Sequence, residues 1–325
     1  MKSTFAGLAV ILTVLLLTET LFGRGQVSAP APREQCQLAI LSHGAVSKQS
    51  DCSSKEVRQL ALDGHVFEQN EMGIASMLVI GPEYSEKEAL EWFERAAQRG
   101  YAPAEVNFAV MYMKGWGVPV NYAAALHWLY AAAGQNFPRA YFNLGILFLN
   151  GQGVRQDYAE AFRWFQKAAE ANDADAQADL GWLYDQGLGC SHSAPTAVSW
   201  YRKAAEAGNA LGENNLADMY LRGEGVRQDY SEAFHLFQKA AVDGLTAARI
   251  KLGYMYANGL AVEKDPATAY AWILAASTAG DHRGDYMMPA LKELLSARQI
   301  AAVSERARSA PFKPVQHSPI DSFVP

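Results

Sequence analysis

Apolar and polar positions along this chain repeat with two periods at once. Within short segments the apolar residues follow a helical rhythm. Ala161, Trp164, Phe165, Ala168 and Ala169 stand at i, i+3, i+4, i+7 and i+8, which puts them on one face of a helix. The same stripe recurs as Ala125, Trp128, Leu129, Ala132, Ala133 and as Ala197, Trp200, Tyr201, Ala204, Ala205. The segments themselves recur every 36 residues: Leu144, Leu180, Leu216 and Leu252 align without a gap, and stepping back reaches Phe108 and Met72. A fixed period of this size marks stacked supersecondary units, each packing only on its neighbours.

Each unit reads as two helices, A and B. Helix A carries small residues after the Leu column (Ala109, Gly145, Gly181, Ala217, Gly253) and an aromatic three positions on (Tyr112, Phe148, Tyr184, Tyr220, Tyr256). It is expected to end at Gly115, Gly151, Gly187, Gly223 and Gly259, where a left-handed cap costs glycine least. Helix B begins after good N-caps at Ser85, Asn121, Asp157, Ser193, Asp229 and Asp265. Glu88, Glu160 and Glu232 lie three residues beyond their caps and predict capping boxes. Gly100, Asn136, Asn172, Gly208, Gly244 and Gly280 close helix B. The fold class expected is all-α, a right-handed α-solenoid of six helix–turn–helix repeats over residues 66–281 with helical caps at 30–65 and 282–309. Five of the seven tryptophans (Trp92, Trp128, Trp164, Trp200, Trp272) occupy one column of helix B, read as core rings between helix pairs rather than a ligand cage. On that reading a Trp164→Ala change costs about 3–5 kcal/mol.

The ends depart from the repeat. Lys2 and then the uninterrupted low-polarity run Phe5 to Leu17 fit a secretory signal over residues 1–29, or else an uncleaved N-terminal anchor; the run is shorter than a membrane span requires. Either version exports the body, to the periplasm, to the outer face of an inner-membrane anchor, or out of the cell. In that setting Cys36 and Cys52 either pair as a disulfide, worth about 3 kcal/mol, or stay free thiols. Cys190 stands in a column of valines and reads as a small apolar residue. Residues 310–325 hold Pro311, Pro314, Pro319 and Pro325, a composition suited to an extended tail. The net charge of -6 offers no basic stripe, which argues against nucleic acid.

Taken together, Ala140, Leu144, Gly145, Gly151, Gly153, Val154, Asp157, Ala161, Trp164, Lys167, Ala168 and Ala169, with Phe148 in a tyrosine position, resemble the Sel-1-like repeat, a relative of the tetratricopeptide repeat. The resemblance implies an interaction adaptor, and many bacterial members are exported. It also implies a test for enzymes, since some members bind or hydrolyse β-lactams. No Ser-x-x-Lys, Lys-Thr-Gly or Gly-x-Ser-x-Gly string is present, and the cysteine pair per repeat of the enzyme-like members is missing. The seven histidines lack the i, i+3 or i+4 pairing of a helical zinc site. Turns such as Gly151-Gln152-Gly153 follow a helix and lack the Lys-Ser/Thr of a phosphate loop, so no cofactor is expected.

What remains for function is the face of helix A away from its apolar stripe. One column there is polar: Asn107, Asn143, Asp179, Asn215 and Lys251. The next mixes large apolar groups with an acid: Ile146, Trp182, Asp218 and Tyr254, with Phe142 beside them. Polar groups for a peptide backbone next to apolar pockets suggest a groove on the concave wall. The alternative is that Ile146, Trp182 and Tyr254 pack on the neighbouring helix A. The expected function is a non-enzymatic scaffold or regulator of the bacterial envelope, holding envelope or membrane proteins. The alternatives are a β-lactamase-like or penicillin-binding module, and a structural subunit of a membrane complex.

Overall fold

The computed structural model of the protein describes residues 54–78 and 85–309. The chain divides into two units, residues 1–59 and 60–325. Of the first, residues 54–59 are described, as the opening turns of α1 (Ser54–Leu62). The N-terminal apolar run, Cys36, Cys52 and the Pro-rich tail lie outside the described residues.

Six successive A/B pairs carry the repeat: α2 (Val66–Leu78) with α3 (Glu86–Ala97), α4 (Ala102–Lys114) with α5 (Tyr122–Gly134), and α6 (Pro138–Asn150) with α7 (Tyr158–Glu170). The series continues with α8 (Ala174–Gln186) and α9 (Ala194–Glu206), α10 (Ala210–Arg222) and α11 (Tyr230–Val242), then α12 (Thr246–Asn258) and α13 (Pro266–Thr278). Among the described residues there is no strand. After α13 the chain forms a 3-10 turn (His282–Met287), α14 (Met288–Glu293) and α15 (Ala297–Ser309). Ile300 and Val303 of α15 join Leu291 of α14 in the cluster around Tyr270 and Ile273 of α13, so apolar surface left by the last repeat is covered.

The turn from A to B is locked in two ways. The glycine after each helix A from α4 onward is left-handed (Gly151 at φ 68°), and its N–H bonds back to a helical carbonyl, here Leu147. Two residues on, four of these turns carry a second left-handed glycine that touches the first turn of the preceding helix B, and the fifth carries Ala261, left-handed at φ 63°. A Cβ on Gly189 would lie 2.1 Å from the Tyr158 carbonyl oxygen, so only hydrogen fits. The N–H of each helix-B cap then bonds a carbonyl near the end of its own helix A: Asn121 to Tyr112, Asp157 to Phe148, Ser193 to Tyr184, Asp229 to Tyr220 and Asp265 to Tyr256, all at 2.9–3.0 Å.

That bond corrects the expected capping boxes. The cap side chains do accept from the N3 amides, as Ser85 does from Glu88 and Asp157 from Glu160. The reciprocal half is missing because the cap N–H is already taken by helix A. Glu88 turns instead to the Trp92 indole N–H at 3.3 Å, and Glu160 pairs with Arg163. A reciprocal box does close at Ser296 and Gln299, where no helix A competes. At the other end of helix B, Asn136 (φ 60°) and Asn172 (φ 65°) take the left-handed conformation along with Gly100, Gly208, Gly244 and Gly280.

The core consists of matched columns. Ala89, Ala125, Ala161, Ala197, Ala233 and Ala269 have no exposure, and neither have Ala96, Ala132, Ala168, Ala204, Ala240 and Ala276. Between these alanines stand Phe93, Leu129, Phe165, Tyr201, Phe237 and Ile273, each at most 1% exposed. Each faces the small residue of its own helix A: a Cβ on Gly145 would lie 2.6 Å from the Phe165 ring, and one on Gly181 2.7 Å from Tyr201. The tryptophan column was expected as core rings between one helix pair and the next; it lies at that seam but is only partly buried. Trp92 is buried, but Trp128, Trp164, Trp200 and Trp272 are half-buried at the seam between units. At two of them a basic side chain covers the open ring face, with Lys167 Nζ 4.5 Å from the Trp164 centroid and Lys203 Nζ 3.9 Å from that of Trp200. The residue after the tryptophan points at helix A; the tryptophan lies beside it.

This geometry lowers the cost expected for Trp164 and places the larger one on its neighbour Phe165. Phe165→Ala is expected to cost about 3–5 kcal/mol, and Trp164→Ala about 1–2 kcal/mol less, measured by urea unfolding of each variant. Equal losses would return the core to the tryptophan column.

Candidate functional site

Neighbouring helices A meet most closely where α8 packs on α10. Side chains bridge them: Asn107 Nδ2 donates to Asn70 Oδ1 at 2.8 Å, Arg139 Nη1 to Asp175 Oδ2 at 2.6 Å, and Lys251 Nζ to Asp218 Oδ1 at 2.8 Å. In an array of paired helices the more closely spaced row lines the inner wall. The residues expected to contact a partner all lie on this row, and the structure distributes them unevenly.

The first part of the wall is closed. Asn107 has no exposure, and Asn143 is 9% exposed and donates to the Arg139 carbonyl at 2.9 Å. Both are corrected from solvent-facing contacts to buried groups. Asparagine suits that place because its amide meets a neighbour's polar group and leaves no charge in the interior. Phe142 is half-buried, 5.7 Å from the Phe165 ring and capped by the Arg139 guanidinium at 5.0 Å. Ile146 is also half-buried.

From α8 onward the wall opens. Trp182 is 36% exposed and Tyr254 41%. Asn215 is half-buried and accepts from Asn214 Nδ2 at 3.1 Å. Asp218 and Lys251 form their own ion pair and are not two separate contacts. Past them, Leu221, Ile250, Lys251, Tyr254, Tyr286 and Met287 line a cavity of about 410 Å³ at the C-terminal end of the wall.

The acids of α8 set the electrostatics. Arg139 reaches Asp175 at 2.6 Å and Asp173 at 3.6 Å, and Asn209 Nδ2 adds a bond to Asp175 at 2.7 Å. Asp179, one turn further on, is half-buried. Burial first, then the charges of Asp175 and Asp173, push its carboxyl up to about 7.

A column of buried polar groups went unnoticed in the sequence. Gln69, Glu105, Gln177, Glu213 and Arg249 occupy equivalent positions and are each at most 5% exposed. Gln69 donates to the Ala61 carbonyl, Gln177 to Ala169 and Arg249 to Ala241, each near the end of the preceding helix. Glu105 instead accepts from Gln135 at 2.9 Å, and Glu213 lies 2.5 Å from the Lys239 ammonium. The signal was there: these residues sit three before the Leu column, on the core stripe, and five of the six units are polar at this position, Tyr141 being the sixth. Gln69, Gln177 and Arg249 thus tie their helix A to the preceding helix, while Glu105 and Glu213 brace the two halves of their own unit.

One cluster resembles catalytic machinery by composition. Ser277 Oγ lies 3.1 Å from His282 Nδ1, which lies 2.9 Å from Asp285 Oδ2. A proton relay needs hydroxyl and carboxylate on opposite ring nitrogens. Here both meet Nδ1, and the hydroxyl also donates to the carboxylate at 3.2 Å. The arrangement ties the 3-10 turn to the end of α13. Among the described residues no group of three His, Cys, Asp or Glu is placed to hold a metal, and no helix is long and apolar enough to cross a membrane.

Comparison with known proteins follows the same units. The Sel1 repeat model matches six times, at residues 69–101, 102–137, 138–173, 174–209, 210–243 and 246–281. The crystal structure of a Sel1 repeat protein from Oxalobacter formigenes is similar at 32% identity, over 68% of this chain and 90% of that one, with a TM-score of 0.62. A protective antigen present in uropathogenic Escherichia coli strains, displaying an SLR fold, is 30% identical over 79% of this chain and 64% of that one, with a TM-score of 0.44. No curated protein matches.

The burial of Asp179 makes a signed prediction. A carboxyl whose folded pKa is raised is penalised when ionised, so stability falls as pH rises from about 4 through about 7. Asp179→Asn removes that penalty. It is expected to stabilise the protein by on the order of 2 kcal/mol at pH 8 and by nothing measurable at pH 4, read from melting curves of both proteins. A gain independent of pH would disprove the assignment.

Proposed function

The chain belongs to the Sel1 repeat family, and from that premise we propose that it is a non-enzymatic scaffold of the bacterial envelope whose inner helix-A wall holds a segment of a partner protein. Sel1 repeats commonly serve as protein–protein interaction scaffolds. The observation that carries the finer reading is the exposure of Trp182 and Tyr254 on the inner row, in a column whose earlier members Val110 and Ile146 are buried or half-buried. The other exposed rings of the array, Tyr130, Tyr158 and Tyr230, belong to helices B. Two large rings left open on one wall suit the anchors of an interface, where tryptophan and tyrosine contribute most. Envelope placement is supported by Lys2 and the apolar run Phe5–Leu17 in the sequence.

Photo-crosslinking in cells tests both parts. Benzoylphenylalanine replaces Trp182 or Tyr254 in one set of proteins. In a control it replaces Tyr130, a helix-B residue that is 46% exposed. The expected result is a protein adduct from positions 182 and 254, recovered with the envelope fraction, and little from 130. Adducts from 130 alone would move the binding face to the helix-B side, and recovery in the cytosol would end the envelope reading.

A further inference from the structure

Nearly every charge on the open wall is answered within the protein. Arg139 holds Asp173 and Asp175, Lys251 holds Asp218, and Arg222 reaches Glu224 at 2.8 Å. Asp179 is the exception. Among the described residues its carboxylate has no hydrogen-bond or ion-pair partner, although it is half-buried at the centre of the wall. Four of the other units put an amide or a cation at this position (Asn107, Asn143, Asn215, Lys251), and each of these is bonded. The first unit, on the closed part of the wall, carries Glu71 there, a buried acid beside Asn70 whose carboxyl burial pushes up to about 7. An unanswered carboxylate here costs stability and gives the fold nothing in return.

Trp182 stands three residues further along α8, so its ring and the Asp179 carboxylate share one face of the helix. The ring is 36% exposed. A carboxylate without a partner next to an open indole has a definite complement. A single lysine or arginine meets the acid with its charge while its methylene stem or guanidinium plane covers the ring. An anion is excluded by Asp173 and Asp175 in the same first turns. A small enclosed ligand does not fit either, since the cavity on this wall lies at its far end, around Tyr254 and Tyr286. Next to Asp179, Asn215 spends its oxygen on Asn214 and keeps its N–H donors for a main-chain carbonyl.

We propose that the partner segment is extended and basic, and that it is selected by a lysine or arginine seated on Asp179 and Trp182. This rests on the reading of the helix-A wall as the binding face, and adds the chemistry of what it takes. The charged and titratable groups around Asp179 are Asp173 and Asp175 of its own unit, Arg139 of the preceding unit, which holds both, and the Tyr201 hydroxyl of α9. A basic ligand favours the ionised form of Asp179, so binding releases a proton when the free carboxyl is protonated.

The test is a random dodecapeptide library displayed on phage and selected on the full chain at pH 7.5. Recovered peptides are then synthesised and titrated. The expected result is a recurring lysine or arginine. Its replacement by norleucine should weaken binding about tenfold in the parent and hardly at all in Asp179→Asn. Affinity of the parent should fall between pH 8 and pH 6, while that of the variant stays flat. A lower melting temperature for Asp179→Asn would count against the proposal, since an idle carboxylate is stabilised by neutralisation. A second variant, Trp182→Ser with Tyr254→Ser, separates the two levels. Peptides that need these rings but show no basic preference overturn this inference and leave the wall as the binding face. Peptides indifferent to both rings, or a library that yields none, overturn both.

Discussion

The contact between a small residue on helix A and a large one on helix B governs this molecule. Gly73, Ala109, Gly145, Gly181, Ala217 and Gly253 face Phe93, Leu129, Phe165, Tyr201, Phe237 and Ile273 in turn, always twenty residues apart. The glycine removes a Cβ that would otherwise stand 2.4–2.7 Å from the facing side chain. The two helices therefore approach until the side chain fills the gap completely, as close packing demands. The pairing is tolerant of size: Ala109 faces Leu129, but Ala217 faces Phe237 and Gly253 faces Ile273. Because each unit solves its own packing, an apolar face is left for the next unit, and the array grows by repetition.

Close approach in the middle of the pair obliges the ends to comply. Helix A must stop and reverse within a few residues, which is why left-handed glycines follow it. The N–H of the helix-B cap binds a carbonyl of helix A and so fixes where B begins. One donor serves both the turn and the helix start. The cap side chain closes the remaining amides, as in five of the six units; Ser193 turns to Thr196 instead. The regular spacing of caps in the sequence is thus a consequence of core geometry as well as of helix propensity.

This dependence explains what could be read from the residues alone. The period, both helix faces, the glycine turns and the left-handed ends of helix B were legible, because each is a local requirement repeated six times. Four features were not. The tryptophan column drew attention by size, yet the ring that faces helix A is the next residue, and one position on a helix turns the side chain by about 100°. The capping boxes were overread because the competing acceptor belongs to another helix. Gln69, Glu105, Gln177, Glu213 and Arg249 went unnoticed because their role depends on carbonyls at the end of the preceding helix or on side chains in or just after helix B. Asn107 was taken for a solvent contact although Asn70 of the previous unit closes over it. Each of these misses involves a contact between helices, where spacing along one helix carries little information.

The same reasoning separates scaffold from site on the inner wall. A position that repeats across units is held by packing, and its residue type says little about partners. A position that departs from its column without a structural return is where selection for another purpose shows. Lys251 departs from asparagine, but Asp218 pairs with it, so that departure is spent on stability. Trp182 and Tyr254 depart from Val110 and Ile146 toward larger rings and become more exposed, which packing does not reward. Asp179 departs toward a charge in a half-buried place beside two other acids, which the fold penalises directly. The open part of the wall therefore concentrates its structural costs in one stretch of α8. A solenoid can carry such a cost because each unit adds its own core, and the neighbours of α8 retain theirs in full.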